Sequence, residues 1–269
     1  MKTEPTLLSE RLRAVASLVP PGSRVADIGT GHGKLPHWLL AGSRIAHCIA
    51  TEMTRESGSC GTTLAETPGL DLRFGDGLRV LRPEDRVDVL ILSGLGARSI
   101  IDILDDDRGP ASLAGRLVLQ PQTEAGRLRR WLVANGRTIV AERMARERGR
   151  FYFAIAAETG RARLPLHPTL SAEDLLEAGP CLVSSRNPLV RSYWRRRLVR
   201  LERILERTPA ATEQRRARRQ ALLAARVLGV LERPIRTGET SAECCYNRSS
   251  CSPARSCRCS RTEDSTCGS

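Results

Sequence analysis

The glycine-rich stretch at residues 24–36 constrains the fold of this chain more than any other segment. Its sequence is RVADIGTGHGKLP, in which an apolar, β-branched run meets Asp27 and Gly29, Gly31 and Gly33 recur at every second position. Glycine lets the main chain turn sharply and leaves no Cβ where a ligand must lie against the backbone. The stretch therefore predicts a strand, a glycine loop and a helix, with a plain tight turn as the alternative.

The spacing of these glycines distinguishes between two kinds of ligand. Dinucleotide-binding loops follow G-x-G-x-x-G. Gly29, Gly31 and Gly33 instead follow D-x-G-x-G-x-G, the spacing of Rossmann-like methyltransferases that bind S-adenosylmethionine. The spacing favours a methyl donor over NAD, and we expect Asp27 and the three glycines to hold its methionine part.

Acidic residues follow the next two predicted strands. Glu52 comes directly after the buried run 45–51, and Asp76 lies in the Gly-Asp-Gly turn after the run 70–74. A carboxylate at the first position can accept hydrogen bonds from both ribose hydroxyls of an adenosine ligand. We expect Glu52 to bind the ribose of the donor and Asp76, with Gly77, to bind its adenine. An ordinary turn is the alternative for the second position.

Strand and helix patterns alternate along residues 1–160. Strands are predicted at 24–28, 45–51, 70–74, 87–92 and 115–119, and helices at 6–19, 35–40, 55–66, 100–104 and 128–133. Two more strands, 137–144 and 150–158, have no helix-length spacer, so the sheet is expected to finish with a reversed pair. The pattern predicts an α/β, Rossmann-like class I methyltransferase sheet with an antiparallel final strand. We expect residues 1–160 to be the S-adenosylmethionine-binding domain.

Residues 161–232 are predicted to form a basic helical domain. Apolar residues recur every three or four positions over 190–205 and 217–231, which predicts an antiparallel helical hairpin or short coiled coil. The segment holds 15 arginines and 7 acidic residues, a net charge of +8, whereas residues 1–160 hold 22 basic and 19 acidic residues.

This excess of positive charge predicts a polyanionic partner, most often the phosphate backbone of RNA or DNA. We expect Arg191, Arg195 and Arg196 to contact that backbone. A solvated, arginine-rich helix face is the alternative.

The last segment, residues 233–269, holds six of the nine cysteines among serine, threonine, arginine and glycine. No pair has C-x-x-C spacing and no histidine lies nearby, so a disordered tail is favoured over a metal or redox function, and no metal site is expected. The chain shows no signal-peptide core and no run of the ~20 apolar residues that a membrane span needs. We expect a cytoplasmic protein that does not bind membranes, with a monomer favoured.

Five blocks of the sequence, in this order, resemble the bacterial TrmK family. They are ADIGTGHGKLP at 26–36, SGLG at 93–96, QPQ at 120–122, RRWL at 129–132 and ERM…FYFAIAAE ending at 158. The resemblance implies an S-adenosylmethionine-dependent enzyme that methylates N1 of the adenine at position 22 of tRNA. It also implies a helical, coiled-coil-like carboxyl-terminal domain.

The first block departs from the family, which reads approximately ADIGSDHAYLP at these positions. Gly31 stands where the family has an aspartate, its suspected catalytic residue, and Gly33 and Lys34 replace Ala-Tyr. Ala97 replaces the second glycine of the family's A-G-M-G-G.

The acceptor adenine is expected beside catalytic residues His32, Ser93, Gly94 and Gln120, with His32 orienting the base, relaying a proton or serving only as a loop residue. Two other functions stay open. One is a methyltransferase of the same fold acting on another RNA site or a small molecule, and the other is a non-catalytic RNA-binding homologue.

Overall fold

The computed structural model describes residues 7–54, 67–105, 114–160, 164, 167–207 and 210–233. The strands are β1 (Arg24–Ile28), β2 (His47–Glu52), β3 (Leu70–Phe74), β4 (Val89–Leu95), β5 (Arg116–Pro121), β6 (Arg137–Glu147) and β7 (Arg150–Thr159). The α-helices are α1 (Glu10–Ala16), α2 (Lys34–Ala41), α3 (Ala97–Leu104), α4 (Ala125–Ala134), α5 (Ala172–Ala178), α6 (Pro180–Ser185), α7 (Pro188–Arg207) and α8 (Ala211–Glu232). The helix predicted at 55–66 and all of the predicted tail except Arg233 lie outside the described residues.

The strands form one seven-stranded sheet with the order β3-β2-β1-β4-β5-β7-β6. Strands β1 to β5 are parallel, and β7 lies antiparallel between β5 and β6. The predicted α/β, Rossmann-like class I sheet with an antiparallel final strand is confirmed. Only β7 is reversed, however: β6 precedes it in a hairpin and runs in the direction of β5, so the expected reversed pair is a single reversed strand.

Alternate residues of the central strands pack on opposite faces of the sheet. Ala26 and Leu90 belong to the buried cluster that includes α3 and α4, whereas Val25 and Ile91 belong to the cluster that includes α1 and α2. Because helices cover both faces of the sheet, central strands such as β4 and β5 contain continuous apolar runs and not alternating ones. Each fully buried aliphatic side chain contributes about 1.5–3 kcal/mol of transfer free energy, which holds the strand ends in place for the site.

Helices α7 and α8 form the predicted antiparallel hairpin. Arg195, near the start of α7, pairs with Glu232 at the end of α8, with 2.7 Å between Nη2 and Oε1. Trp194 and Val227 are buried between the two helices, and Phe153 of β7 packs against the same cluster. The hairpin therefore packs on the reversed strand of the sheet. Among the described residues, no helix is both long enough and apolar enough to cross a membrane.

A buried ion pair joins the sheet to the helices that follow it. Arg129 of α4 and Glu142 of β6 are 1% and 0% exposed, with 2.6 Å between Nε and Oε1. Nη1 of Arg129 also donates to the carbonyl oxygens of Leu176 and Glu177 in α5, at 3.2 and 3.0 Å. Residues 1–234 form one compact unit. The boundary expected at residue 160 stays a prediction.

Candidate active site

The glycine loop follows β1 at the carboxyl edge of the sheet. Gly29, Gly31 and Gly33 have φ of +70°, +61° and +63°, a left-handed conformation that glycine adopts without a Cβ penalty. The backbone N–H groups of Gly29 and Thr30 donate to the carbonyl oxygen of Thr51 in β2, at 3.0 and 2.9 Å. A Cβ added at Gly29 or Gly31 would meet no atom within 4 Å. The loop is thus held by β2, and open space lies beside its main chain.

Asp27 lies beneath this loop with only 4% of its surface exposed. The pKa of its carboxyl is raised from 3.8 to about 6, chiefly because the group is buried; a hydrogen bond from Thr30 lowers the pKa, and the charge of Glu52 raises it. That hydrogen bond joins Thr30 Oγ1 to Asp27 Oδ2 at 2.8 Å. A positively charged group placed beside Asp27 would stabilise its ionised form, since an opposite charge lowers the pKa of a carboxyl.

Glu52 and Asp76 lie near the same loop. Oε2 of Glu52, at the end of β2, accepts a hydrogen bond from the N–H of Gly31 at 2.7 Å. The N–H of Gly75 donates to the Glu52 carbonyl oxygen at 2.9 Å, so the turn that carries Asp76 adjoins the end of β2. Asp76 is largely exposed and pairs with Arg79, with 2.9 Å between Oδ2 and Nη1. The carboxylates predicted at successive strand ends therefore share one edge of the sheet.

The turn after β3 is held in place by a two-pronged ion pair. Arg73 donates from Nη1 and Nη2 to the two carboxylate oxygens of Asp85, each at 2.7 Å. Arg73 is the largest cause of the lowered pKa of Asp85, which therefore stays ionised. Gly77, with φ of +52°, begins the turn of 3₁₀-helix between these two residues. The pair fixes the position of the segment on which Asp76 and Gly77 lie.

Ser93, Gly94 and Gln120 lie together at the ends of β4 and β5. Ser93 and Gln120 are neighbours in the ladder, and Ser93 Oγ donates to Gln120 Oε1 at 3.4 Å. Gln120 is fully buried, and its Nε2 donates to the carbonyl oxygen of Pro121 at 3.0 Å. Gln122 Nε2 donates to the carbonyl oxygen of Gly94 at 2.7 Å. Three of the four predicted catalytic residues therefore form one polar wall.

The carboxylates beside the glycine loop and the polar wall both lie at the carboxyl edge of this parallel sheet, where ligands bind in this fold class. Residues 25–228 match the TrmK family, whose description is tRNA (adenine(22)-N(1))-methyltransferase. The chain belongs to the TrmK family.

Relatives of known name agree with this membership. The chain is 29% identical over 221 residues to the tRNA (adenine(22)-N(1))-methyltransferase of Bacillus subtilis, which covers 80% of this chain and 92% of that protein. The crystal structure of the B. subtilis m1A22 tRNA methyltransferase TrmK has a TM-score of 0.71 at 26% identity, covering 82% and 99% of the two chains. A Streptococcus pneumoniae protein, provisionally assigned as a tRNA (m1A22) methyltransferase and solved with S-adenosyl-L-methionine, has a TM-score of 0.72 at 30% identity, covering 82% and 100%.

Arg11 is a residue of this TrmK-family crevice that sequence reasoning missed. Its Nη1 donates to Gln120 Oε1 at 2.7 Å and to Ser93 Oγ at 3.3 Å. Its guanidinium lies 5.8 Å from the centre of the Tyr152 ring, within cation–π range. One signal was available, because Arg11 lies four residues before buried Val15 and therefore on the same face of α1.

His32 lies on the exposed surface of the glycine loop, immediately before Gly33. Within the described ranges no hydrogen bond joins it to Ser93 or Gln120. The main chain at the preceding Gly31, where the TrmK family has an aspartate, leaves space for a side chain. The catalytic role of His32 stays a prediction.

The three arginines expected to contact RNA have intramolecular contacts. Arg191 donates from Nη2 to the Leu231 carbonyl oxygen at 3.5 Å, and Arg195 pairs with Glu232, so both contact the end of α8. Arg196 lies 5.7 Å from the centre of the Phe151 ring on β7. At least Arg191 and Arg195 therefore help to hold the helical hairpin together, and RNA binding by these residues stays a prediction.

Proposed function

We propose that this TrmK-family chain transfers a methyl group from S-adenosylmethionine to N1 of the adenine at position 22 of tRNA. The observation that supports this best is the glycine loop, whose left-handed glycines leave open space beside Asp27 and Glu52. Membership of a tRNA (adenine(22)-N(1))-methyltransferase family supports the acceptor. The protein would act in the cytoplasm, where tRNA is found, and the monomer expected from the sequence stays a prediction.

The donor fits the carboxylate side of the crevice. When bound, S-adenosylmethionine supplies an electrophilic methyl group on a positively charged sulfonium. Asp27 and the glycine loop would hold the methionine part, because the buried carboxylate complements a cationic ammonium group. Glu52 would accept hydrogen bonds from the ribose hydroxyls, and Asp76 with Gly77 would bind the adenine of the donor. Each of these groups lies at the end of a different strand, so together they fix the direction of the methyl group.

The acceptor adenine fits the polar wall. N1 of adenine has a free lone pair only when the base is unpaired, so the base must leave its stack or lie in an open part of the tRNA. Ser93 would present its hydroxyl to the edge of the base, buried Gln120 would position that hydroxyl through their hydrogen bond, and Gly94 would leave room for the ring. Alignment of the nucleophile with the methyl carbon is the main catalytic contribution in such a displacement. His32 would orient the base or relay a proton from the rim of the loop.

Two measurements test the proposal in sequence. Saturating S-adenosylmethionine should raise the melting temperature, because a donor at about 100 times its Kd stabilises a folded protein by about 2.7 kcal/mol. An unchanged melting temperature would argue for a non-catalytic homologue.

The second measurement is incubation with unmodified tRNA and methyl-labelled donor, followed by digestion to nucleosides. We expect label only in 1-methyladenosine, and no label when the adenine at position 22 is replaced by guanine. Label in another nucleoside would favour the alternative, a methyltransferase of the same fold with a different RNA site.

A further inference from the structure

A cavity of about 610 Å³ lies beside the crevice, among α4, β7 and the helices α5, α7 and α8. It begins at Gln122 and Thr123, directly after β5. Gln122 also donates to the carbonyl oxygen of Gly94 in the polar wall, at 2.7 Å. One side chain therefore borders both the cavity and the polar wall.

The lining of this cavity is strongly basic, with seven arginines and four acidic residues. The carboxylates of α5 pair with three of the arginines. Glu173 pairs with Arg130 at 2.8 Å, and Asp174 pairs with Arg226 at 2.9 Å. Glu177 lies 3.4 Å from Nη2 of Arg197. These pairs neutralise the side of the cavity formed by α5.

Two other arginines of α8, Arg216 and Arg219, are not neutralised in this way. Arg216 and Arg219 line the cavity, both are exposed, and no hydrogen bond or ion pair reaches either of them in the described part of the chain. Residues three apart on a helix lie on one face, where two like charges repel each other. Binding of an anion between them would relieve that repulsion.

An aromatic wall borders these cations. The ring of Tyr193 meets the rings of Phe151 and Phe153 edge to face, with centroid distances of 5.3 and 5.2 Å. Mutual edge-to-face contacts fix the three rings in position. Fixed aromatic rings beside unpaired cations are typical of grooves that follow a single nucleic-acid strand. A small acidic metabolite would not need a cationic and aromatic surface of this extent.

We propose, on the basis of the proposed function, that this cavity binds the sugar–phosphate backbone of the tRNA next to the target adenine. Arg216 and Arg219 are the phosphate-binding residues. The backbone passes from the cavity over Gln122, and the adenine enters between Gly94 and the glycine loop. RNA contact thereby moves from the arginines of α7 that the sequence suggested to a different set on α8.

A matched pair of double variants of the full chain tests the cavity. R216E/R219E and R215E/R218E change the net charge equally on the same helix. Arg215 and Arg218 are exposed but do not line the cavity. The measurement is the Kd for unmodified tRNA over a range of salt concentrations, together with the Kd for S-adenosylmethionine and the melting temperature. If R216E/R219E fails to fold, R216Q/R219Q replaces it, with R215Q/R218Q as its control.

We expect R216E/R219E to weaken tRNA binding at least about tenfold and to reduce the salt slope by about two, since each lost phosphate contact removes about one. R215E/R218E should change the affinity less than about threefold, and neither variant should alter donor affinity. An equal loss in both variants, or an unchanged salt slope in R216E/R219E, would overturn the cavity proposal alone. Failure of the wild type to bind or methylate any tRNA would overturn the proposed function, and the cavity proposal with it.

Discussion

The donor side and the acceptor side of the crevice are built from contacts of very different sequence separation. On the donor side, Thr30 bonds to Asp27 three residues away and Glu52 bonds to Gly31 twenty-one residues away. On the acceptor side, Arg11 reaches Gln120 across 109 residues. The proposed donor side therefore follows from consecutive βα units. The polar wall also begins with neighbouring strands, since Ser93 and Gln120 pair in the β4–β5 ladder, but it gains Arg11 only after α1 has packed across the finished sheet.

The largest expected effect is on the donor side and depends on pH. Because the folded-state pKa of Asp27 is raised from 3.8 to about 6, the folded state binds this proton more tightly than the unfolded state. The resulting stability is present below pH 4 and is lost as pH rises through 6, by about 3 kcal/mol. Asp27→Asn lacks this titratable carboxyl group, so its stability does not depend on this protonation. Urea denaturation between pH 4 and pH 8 should therefore show a pH-dependent difference of about 3 kcal/mol between the wild type and this variant, and parallel curves would contradict it.

The next effect is on the acceptor side. Arg11→Ala should lower turnover about a hundredfold, because Ser93 and Gln120 lose the group that orients them and small misplacements can reduce rates by that factor. Donor affinity measured by calorimetry should stay unchanged. Arg13→Ala, on the same helix, is the control, because Arg13 pairs with exposed Glu10 and not with the polar wall. If Arg11→Ala lost donor affinity as strongly as it lost turnover, the two sides of the crevice would not be independent.

A smaller effect is expected from the charge of Glu52. Glu52→Gln keeps an oxygen for the N–H of Gly31 but removes the charge, and charge-assisted hydrogen bonds are about twice as strong as neutral ones. Donor affinity should fall about tenfold, or about 1.4 kcal/mol, while tRNA affinity stays the same. Glu84→Gln changes an exposed carboxylate in the turn after β3 and serves as the control. Unchanged donor affinity in Glu52→Gln would refute the proposed ribose contact.

The smallest effect is expected at Gly31, in the glycine loop beside Glu52. Gly31→Asp and Gly31→Asn should each cost about 1 kcal/mol of folding free energy, because both residues visit the left-handed conformation with a modest penalty. The side chain has room, so the donor site should persist. Turnover should rise in Gly31→Asp relative to Gly31→Asn if a carboxylate assists the acceptor, and steady-state kinetics with tRNA compare the two. Equal turnover in the two variants would show that a carboxylate at position 31 does not assist methyl transfer.

The sequence predicts the bounds of a strand correctly where the apolar run and the backbone pairing with the next strand end at the same residue. The bounds of β1 and β3 agree with prediction, at 24–28 and 70–74. The predicted fourth strand ended at Leu92, whereas β4 continues to Leu95. The apolar pattern stops at Ser93, but the main chain still pairs with β5 through Gln120. Polar residues at a strand end are thus invisible to periodicity, and in this fold they are the ones that face the crevice.

The sequence predicts how much positive charge the helices carry but not which arginines are paired and which face the cavity. Arg195 and Arg216 both belong to arginine-rich helices. Arg195 pairs with Glu232, whereas Arg216 lines a cavity and has no partner among the described residues. Which arginine is neutralised depends on how α7 and α8 pack against each other and against α5, and no spacing within either helix specifies that.

The sequence by itself determined the glycine loop, the succession of seven strands along the chain, and the positions of Glu52 and Asp76 at strand ends, because each depends on neighbouring residues and on the direction of a parallel strand. Tertiary structure alone decided that Arg11 fixes the polar wall and that Arg216 and Arg219 face a cavity. Those contacts join segments far apart in the chain, and their geometry is set by helix packing on the sheet. Local periodicity shows which face of a segment is buried but not which other segment packs on that face, so it does not predict long-range contacts.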